Sequence, residues 1–187
     1  MHESSHPLDF TETTLESETV YEGVLLHVRR DRVCLPGGKS AVREYIDHPG
    51  AAVILPLFEN GDTLIERQFR YALRKEIFEL PAGKLDPGED PLAAARRELK
   101  EETGYVAREW RRLGTIHPLA AYCNERIEIF LARDLAHEGH ALDDGEHLEV
   151  LRMPVATALE WVTDGRITDS KTIIGLFWAD KLLAGGW

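Results

Sequence analysis

Cysteine is scarce in this chain: its 187 residues include two, Cys34 and Cys123, far apart and without CxxC spacing. That excludes a disulfide framework and a cysteine metal cage, leaving two packing thiols. Basic residues are in deficit, with 22 Lys and Arg against 33 Asp and Glu and a formal net charge of -11. A nonspecific hold on nucleic acid needs clustered cations and is excluded. An acidic protein that handles a phosphorylated ligand therefore needs a cation as intermediary. No apolar run approaches the ~20 residues that cross a bilayer. The opening MHESSHPLDFTETTLESETV has neither a basic nor an apolar leader region, so a cytoplasmic protein without a membrane partner is expected. Internal repeats and low-complexity linkers are also missing. What remains is 43% hydrophobic and 29% charged, the balance of a globular domain with room for a small appendage.

Three regions are expected: a flexible polar arm over 1–17, a small antiparallel β-sheet over 18–48, and a main domain over 49–187. In the sheet region, VYEGVLLHVRR, DRVCL and SAVREYI read as extended runs, the last two split by a PGGK turn at Pro36–Lys39. AAVILPLF suits a strand buried on both faces, and Asn60-Gly61 predicts a hairpin returning as TLIERQFRYA. KEIFELPAG reads as one further strand. Asp90 then Pro91 predicts a helix start, and Gly104 its stop. REWRRLGTIH, ERIEIFLARDL and EHLEVLRMP are strand candidates, the last two joined by the acidic loop AHEGHALDDGEH. VATALEWVTDG and DSKTIIGLFWADKLLAG close the chain as helices.

On a helix starting near Pro91, Glu98, Glu101 and Glu102 fall at i, i+3 and i+4, so their carboxylates share one face. Taken alone, an acidic pair is more often a solvated face, softened here by Arg97 and Lys100. The loop GKLDPGED shifts that balance, because Gly83 permits a sharp turn and backbone carbonyls near Ala82 can point back toward the acids. Gathered carboxylate oxygens select a hard divalent cation such as Mg²⁺ or Mn²⁺, which Mg²⁺ shares readily with phosphate.

Gly83, Glu89, Arg97-Glu98-Leu99, Glu101-Glu102 and Gly104-Tyr105 stand at every fixed spacing of the Nudix box, so the chain resembles the Nudix hydrolase family. HPGAAVILPL, RQFRYALRKEIFELPAGKLDPGE and NERIEIFLA further resemble its ADP-ribose and nucleoside diphosphate sugar pyrophosphatases. The resemblance implies an α+β fold, an α/β/α sandwich around a mixed sheet with a small N-terminal antiparallel sheet. It implies hydrolysis of a diphosphate bond in a nucleotide sugar, dependent on two or three Mg²⁺ or Mn²⁺ ions per site. It implies a homodimer in which the N-terminal sheet exchanges across a two-fold axis.

The same resemblance assigns Glu98 and Glu102 as principal metal ligands, Glu101 as a further ligand or base, and the Ala82 carbonyl as an additional ligand. Arg97, Glu89 and Gly83 would fix loop and helix around them. A general base is expected from the acidic loop, Glu146 first and Asp144 second, the alternative being a merely solvated loop. Arg70 would grip a substrate phosphate or be a surface arginine, and Glu125 would contact the terminal ribose, line the metal site or be a strand-end charge. Tyr21 is the obvious aromatic for stacking on an adenine. The chain departs from the ADP-ribose pattern at HPLAAYCNER, where a Ser-Pro-Gly usually precedes the ER pair.

His137 and His140 form HxxH spacing but lack a third ligand, and read as loop histidines. Trp161, Phe177 and Trp178 read as helix core, and Arg29, Arg30 and Arg32 as a solvated sheet face. Two rival readings stand beside the nucleotide-sugar one: a hydrolase of nucleoside triphosphates or dinucleoside polyphosphates, and a noncatalytic nucleotide-sugar sensor. The N-terminal strands argue against the first, and the intact box carboxylates against the second.

Overall fold

A computed structural model of the chain describes residues 9–139 and 147–186. The chain divides into two units, one of residues up to His48 with Leu119–Glu125, the other of Pro49–Pro118 with residues from Arg126 onward.

The first unit is an antiparallel sheet of β1 (Thr13–Glu22), β2 (His27–Cys34) and β3 (Ser40–Asp47) in that order. Its register sets Glu16 opposite Arg32 and Glu18 opposite Arg30, with Arg30 in turn opposite Glu44. Cross-strand opposite charges favour this register, and the ion pairs Arg30–Glu18, Arg30–Glu44 and Arg32–Glu16 form on it. The same pairing corrects two expectations. Thr13 to Ser17, placed in the polar arm, are strand, because Glu16 meets Arg32 and Ser17 meets Asp31 across the ladder. The first break falls at Gly23–Leu26, where Gly23 N–H donates to Leu26 O at 2.8 Å, and not between Arg30 and Asp31. The PGGK turn closes as expected, with Gly37 and Gly38 at φ 95° and 86°. Leu119–Glu125 is tied on by Ile46 N–H to Tyr122 O (2.9 Å) and Asn124 Nδ2 to Asp47 Oδ1 (2.7 Å). β3 also carries Tyr45, a second aromatic of this sheet.

The second unit holds β4 (Ala51–Pro56), β5 (Asp62–Arg70), β6 (Lys75–Glu79), β7 (Ala82–Lys84), α1 (Pro91–Thr103), β8 (Tyr105–Ile116), β9 (Ile127–His137), β10 (Leu148–Pro154), α2 (Val155–Thr163) and α3 (Ser170–Leu183). One sheet runs β7-β4-β9-β8, mixed because β4 and β9 are parallel; the other runs β10-β5-β6. Every residue of β4 is buried, and its period of two splits the core. Ala51, Val53 and Leu55 pack with Ala158 of α2 and Leu176 and Ala179 of α3. Ala52 and Ile54 pack with Ala94, Ala95 and Leu99 of α1. Helices therefore cover both faces of a mixed sheet, the α/β/α sandwich the resemblance implied.

The predicted hairpin between β4 and β5 does not form. Gly61 takes positive φ (85°) and its N–H donates to Phe58 O at 3.0 Å, so the turn is there. Both edges of β4 are already paired, with β7 and β9, and β5 joins the other sheet. KEIFELPAG is likewise two strands, broken at Leu80-Pro81. Proline has no N–H for a ladder; its carbonyl accepts instead from Ile54 N–H at 2.9 Å, and the chain changes sheets there. Trp161 and Trp178 pack on the core as expected, but Phe177 is 52% exposed. Helical spacing turns position 177 away from the face that Leu176 buries.

Candidate active site

Helix α1 positions the acidic face. Asp90, in extended conformation, accepts from Leu92 N–H (3.0 Å) and Ala93 N–H (3.2 Å), and Pro91 needs no partner at the first helical position. Gly104 ends the helix in the left-handed region at φ 73°, returning its N–H to Lys100 O. Glu98, Glu101 and Glu102 lie on consecutive turns between these stops.

Arg97 organises the first two. Its guanidinium donates to Glu89 (3.1 Å from both Nε and Nη2), Glu98 (2.8 Å), Glu101 (3.1 Å) and the Lys84 carbonyl (3.2 Å). Glu89 also accepts from Asp86 N–H at 2.9 Å, so one arginine locks the incoming loop to the helix. The hydrogen bonds from Arg97 and then from Asp86 N–H hold the Glu89 carboxyl below its ordinary pKa. Glu102 is buried and accepts from Ala82 N–H at 3.0 Å. Gly83 lies against Glu98 so closely that a Cβ there would be 1.7 Å from Glu98 Oε1.

A second cluster on β5, β6 and α3 was not foreseen. Glu79 is fully buried and takes Arg70 in a fork, Nε to Oε1 at 2.6 Å and Nη2 to Oε2 at 2.7 Å, together with the Lys171 ammonium. Burial opposes ionisation of Glu79, but the Arg70 bonds and the Lys171 charge outweigh it and leave the pKa lowered. Lys171 also reaches Asp169 at 3.1 Å, and the Asp169 carboxylate caps α3 through Thr172 N–H at 2.9 Å. Thr172 Oγ1 in turn accepts from Leu80 N–H at 2.8 Å. Opposite Glu79 on β5 stands Glu66, fully buried, its two oxygens without a hydrogen-bond partner among the described residues. Burial, then the neighbouring Glu79 charge, pushes the Glu66 pKa up to about 8. The sequence did carry a signal: alternation along TLIERQFR puts Glu66 on one face with Leu64 and Arg70, a charge inside an apolar strand.

The raised pKa has a testable sign. The folded state keeps the Glu66 proton between the ordinary value of 4.5 and about 8, so its contribution to stability is complete at low pH and is lost as pH rises through that window. The groups facing Glu66 are Glu79, Lys171, Glu98 and Arg70. In chelator-treated protein, the melting temperature of Glu66→Gln relative to wild type should therefore climb by ~3 °C or more between pH 5 and 8; a constant difference would contradict the shift.

Among the described residues, no three Asp, Glu, His or Cys side chains are gathered as a metal cage. Arg97 sits among Glu98 and Glu101 in the place a counter-charge must take, and Glu102 is turned to Ala82 N–H. The donors nevertheless fit a hard divalent cation: all are oxygens, Gly83 leaves a cradle beside Glu98 that a Cβ would fill, and Glu66 offers two unpartnered oxygens. Beside them is a cavity of about 330 Å³ lined by Leu64, Glu102, Thr103, Tyr105, His137 and Arg152.

Of the expected site residues, Glu98, Glu101, Glu89 and Arg97 come together, Glu102 meets Ala82, and Arg70 is oriented by Glu79. Glu125 and Tyr21 belong to the other unit: Glu125 lies 3.7 Å from His48, and Tyr21 is 57% exposed on β1. Glu146, Asp144 and His140 lie outside the described residues. His137 packs edge-on against Tyr105 at 4.9 Å.

Residues 47–173 match the NUDIX domain, and residues 12–46 match the nucleoside diphosphate sugar hydrolase N-terminal domain. An ADP-ribose pyrophosphatase of Bacillus subtilis (strain 168) is 36% identical over 86% of this chain and 88% of its own. A methanol dehydrogenase activator of Bacillus methanolicus is 34% identical over 89% and 91%. The crystal structure of an ADP compounds hydrolase superposes with a TM-score of 0.83 at 26% identity, covering 97% of this chain and 98% of its own. A domain match over most of the chain, together with full-length relatives, makes this protein a member of the Nudix hydrolase family.

Proposed function

We propose that this Nudix hydrolase cleaves the diphosphate bond of ADP-ribose or a related nucleoside diphosphate sugar, with Mg²⁺ or Mn²⁺ required. The observation that carries the reading is the N-terminal match over residues 12–46 standing ahead of a box whose carboxylates are all present, Glu89, Glu98 and Glu101 ordered by Arg97 and Glu102 by Ala82 N–H. The ADP-ribose pyrophosphatase name of the Bacillus subtilis relative supports the same substrate class.

In the reaction, water adds to one phosphorus, the bridging P–O bond breaks, and nucleoside monophosphate and sugar phosphate leave, the water's proton passing to the base. Glu98, Glu101, Glu102 and the Ala82 carbonyl would hold the cations, which when bound neutralise phosphate charge and acidify water. Arg97 keeps loop and helix at fixed separation. Arg70, held by its fork to Glu79, directs its remaining donors at a phosphate oxygen. Glu146, with Asp144 as second candidate, takes the proton from the attacking water. The protein acts in the cytoplasm as a homodimer; the exposed apolar turn of Val24, Leu25 and Leu26 in the first unit supports self-association.

A panel of ADP-ribose, GDP-mannose, UDP-glucose, diadenosine polyphosphates and dNTPs with Mg²⁺ or Mn²⁺ and product analysis tests the reading. Monophosphate and sugar phosphate are expected from ADP-ribose or another nucleotide sugar. Pyrophosphate released from dNTPs, with nucleotide sugars untouched, would overturn it. Sedimentation of the same preparation should give twice the 21.1 kDa chain mass; a fully active monomer would remove the homodimer.

A further inference from the structure

Resting on the metal-dependent reading above, we infer that Glu66 of β5 belongs to the cation-holding set, its two unpartnered oxygens being completed by a divalent cation or that cation's water shell.

The first ground is the face on which Glu66 stands. It pairs with Val150 of β10, and its neighbour Leu64, two residues away, pairs with Arg152. Cross-strand partners share a face. Leu64, Val150 and Arg152 line the cavity that Glu102 of α1 also lines, so Glu66 projects on the side of the sheet that looks toward the acidic helix. The charge of Glu98 is felt at Glu66 as well.

The second ground is that neither nearby protein cation donates to Glu66. Arg70 and Lys171 both bind Glu79, and the Arg70 fork is complete at 2.6 and 2.7 Å. Glu66 is left fully buried, with neither oxygen hydrogen-bonded among the described residues. A buried carboxyl in that condition is costly, and flanking Leu64 and Val150 would accept an aliphatic side chain in its place. Two buried oxygens without a hydrogen bond point to a partner the chain does not supply.

The third ground identifies that partner. Glu79, Asp169, Glu98, Glu101 and Glu102, with Glu66 beside them, outnumber Arg70, Lys171 and Arg97, and every acceptor in this set is a carboxylate oxygen. That is the preference of Mg²⁺ or Mn²⁺ and is unsuited to an anion or a soft metal.

The test is Mn²⁺ affinity and stoichiometry, read by electron paramagnetic resonance without substrate, for wild type, Glu66→Gln, Glu66→Leu and Glu102→Gln, with melting temperatures in chelator. Both Glu66 variants should bind Mn²⁺ about tenfold or more weakly, or hold fewer ions, while melting in chelator at or above the wild-type temperature. Wild-type affinity and stoichiometry in both Glu66 variants, with binding impaired in Glu102→Gln, would overturn the role of Glu66 and leave the metal centre standing. Chelated Glu66 variants that melt well below wild type would also overturn it, by making Glu66 a structural group. Binding unchanged in Glu102→Gln as well would remove the metal centre itself, and this inference with it.

Discussion

Glu102→Gln should lower kcat by about 10² or more at saturating Mg²⁺, the scale on which a preorganised electrostatic group contributes. Glutamine is nearly isosteric and its amide oxygen can still accept from Ala82 N–H, now at 3.0 Å to Glu102 Oε2. The fold should survive, so the loss reports the missing charge. Circular dichroism and a melting curve matching wild type, beside the fallen kcat, are the expected pair of results. A rate within a factor of two of wild type would remove Glu102 from the catalytic machinery.

Gly83→Ala is expected to be as damaging through geometry alone. The added Cβ would stand 1.7 Å from Glu98 Oε1 and 1.9 Å from Cδ, which no side chain tolerates. The obstacle is the end of a flexible glutamate, so the strand can stay paired with β4 while Glu98 swings aside and its bonds to Arg97 are lost. A carboxylate displaced by an ångström or more in a site of this kind costs about 10² in rate. The measurement is kcat/KM together with melting temperature: a large kinetic loss with a small thermal one is expected. Full activity would mean Glu98 has no fixed place in the reaction.

Much of this was legible in the chain because it is local. The start and stop of α1 follow from Asp90, Pro91 and Gly104, whose chemistry acts within a few residues, and all three perform as their types dictate. The box spacing gave Arg97 its neighbours for the same reason. Failures came where tertiary pairing overrode a local signal. Asn60-Gly61 makes its turn, yet β4 has no free edge to receive β5. Register decided the break at Gly23, through arginines lying opposite Glu16 and Glu18, which a reading along a single strand does not weigh. Glu66, Glu79 and Lys171 were missed because they come from three separate elements, and nothing in their own neighbourhoods states that these elements converge.

Pro81 ends one strand and lets the next begin in the other sheet, leaving only Leu80 and Pro81 between β6 and β7. Glu79, which steadies Arg70, and Ala82, whose N–H steadies Glu102, are thus separated by a covalent stretch no longer than ~11 Å when fully extended. That linkage works as a ruler: the arginine proposed to meet phosphate and the acids proposed to meet cations cannot drift apart, whatever the rest of the molecule does. One residue inserted there would spoil the measure while both sheets kept their pairing.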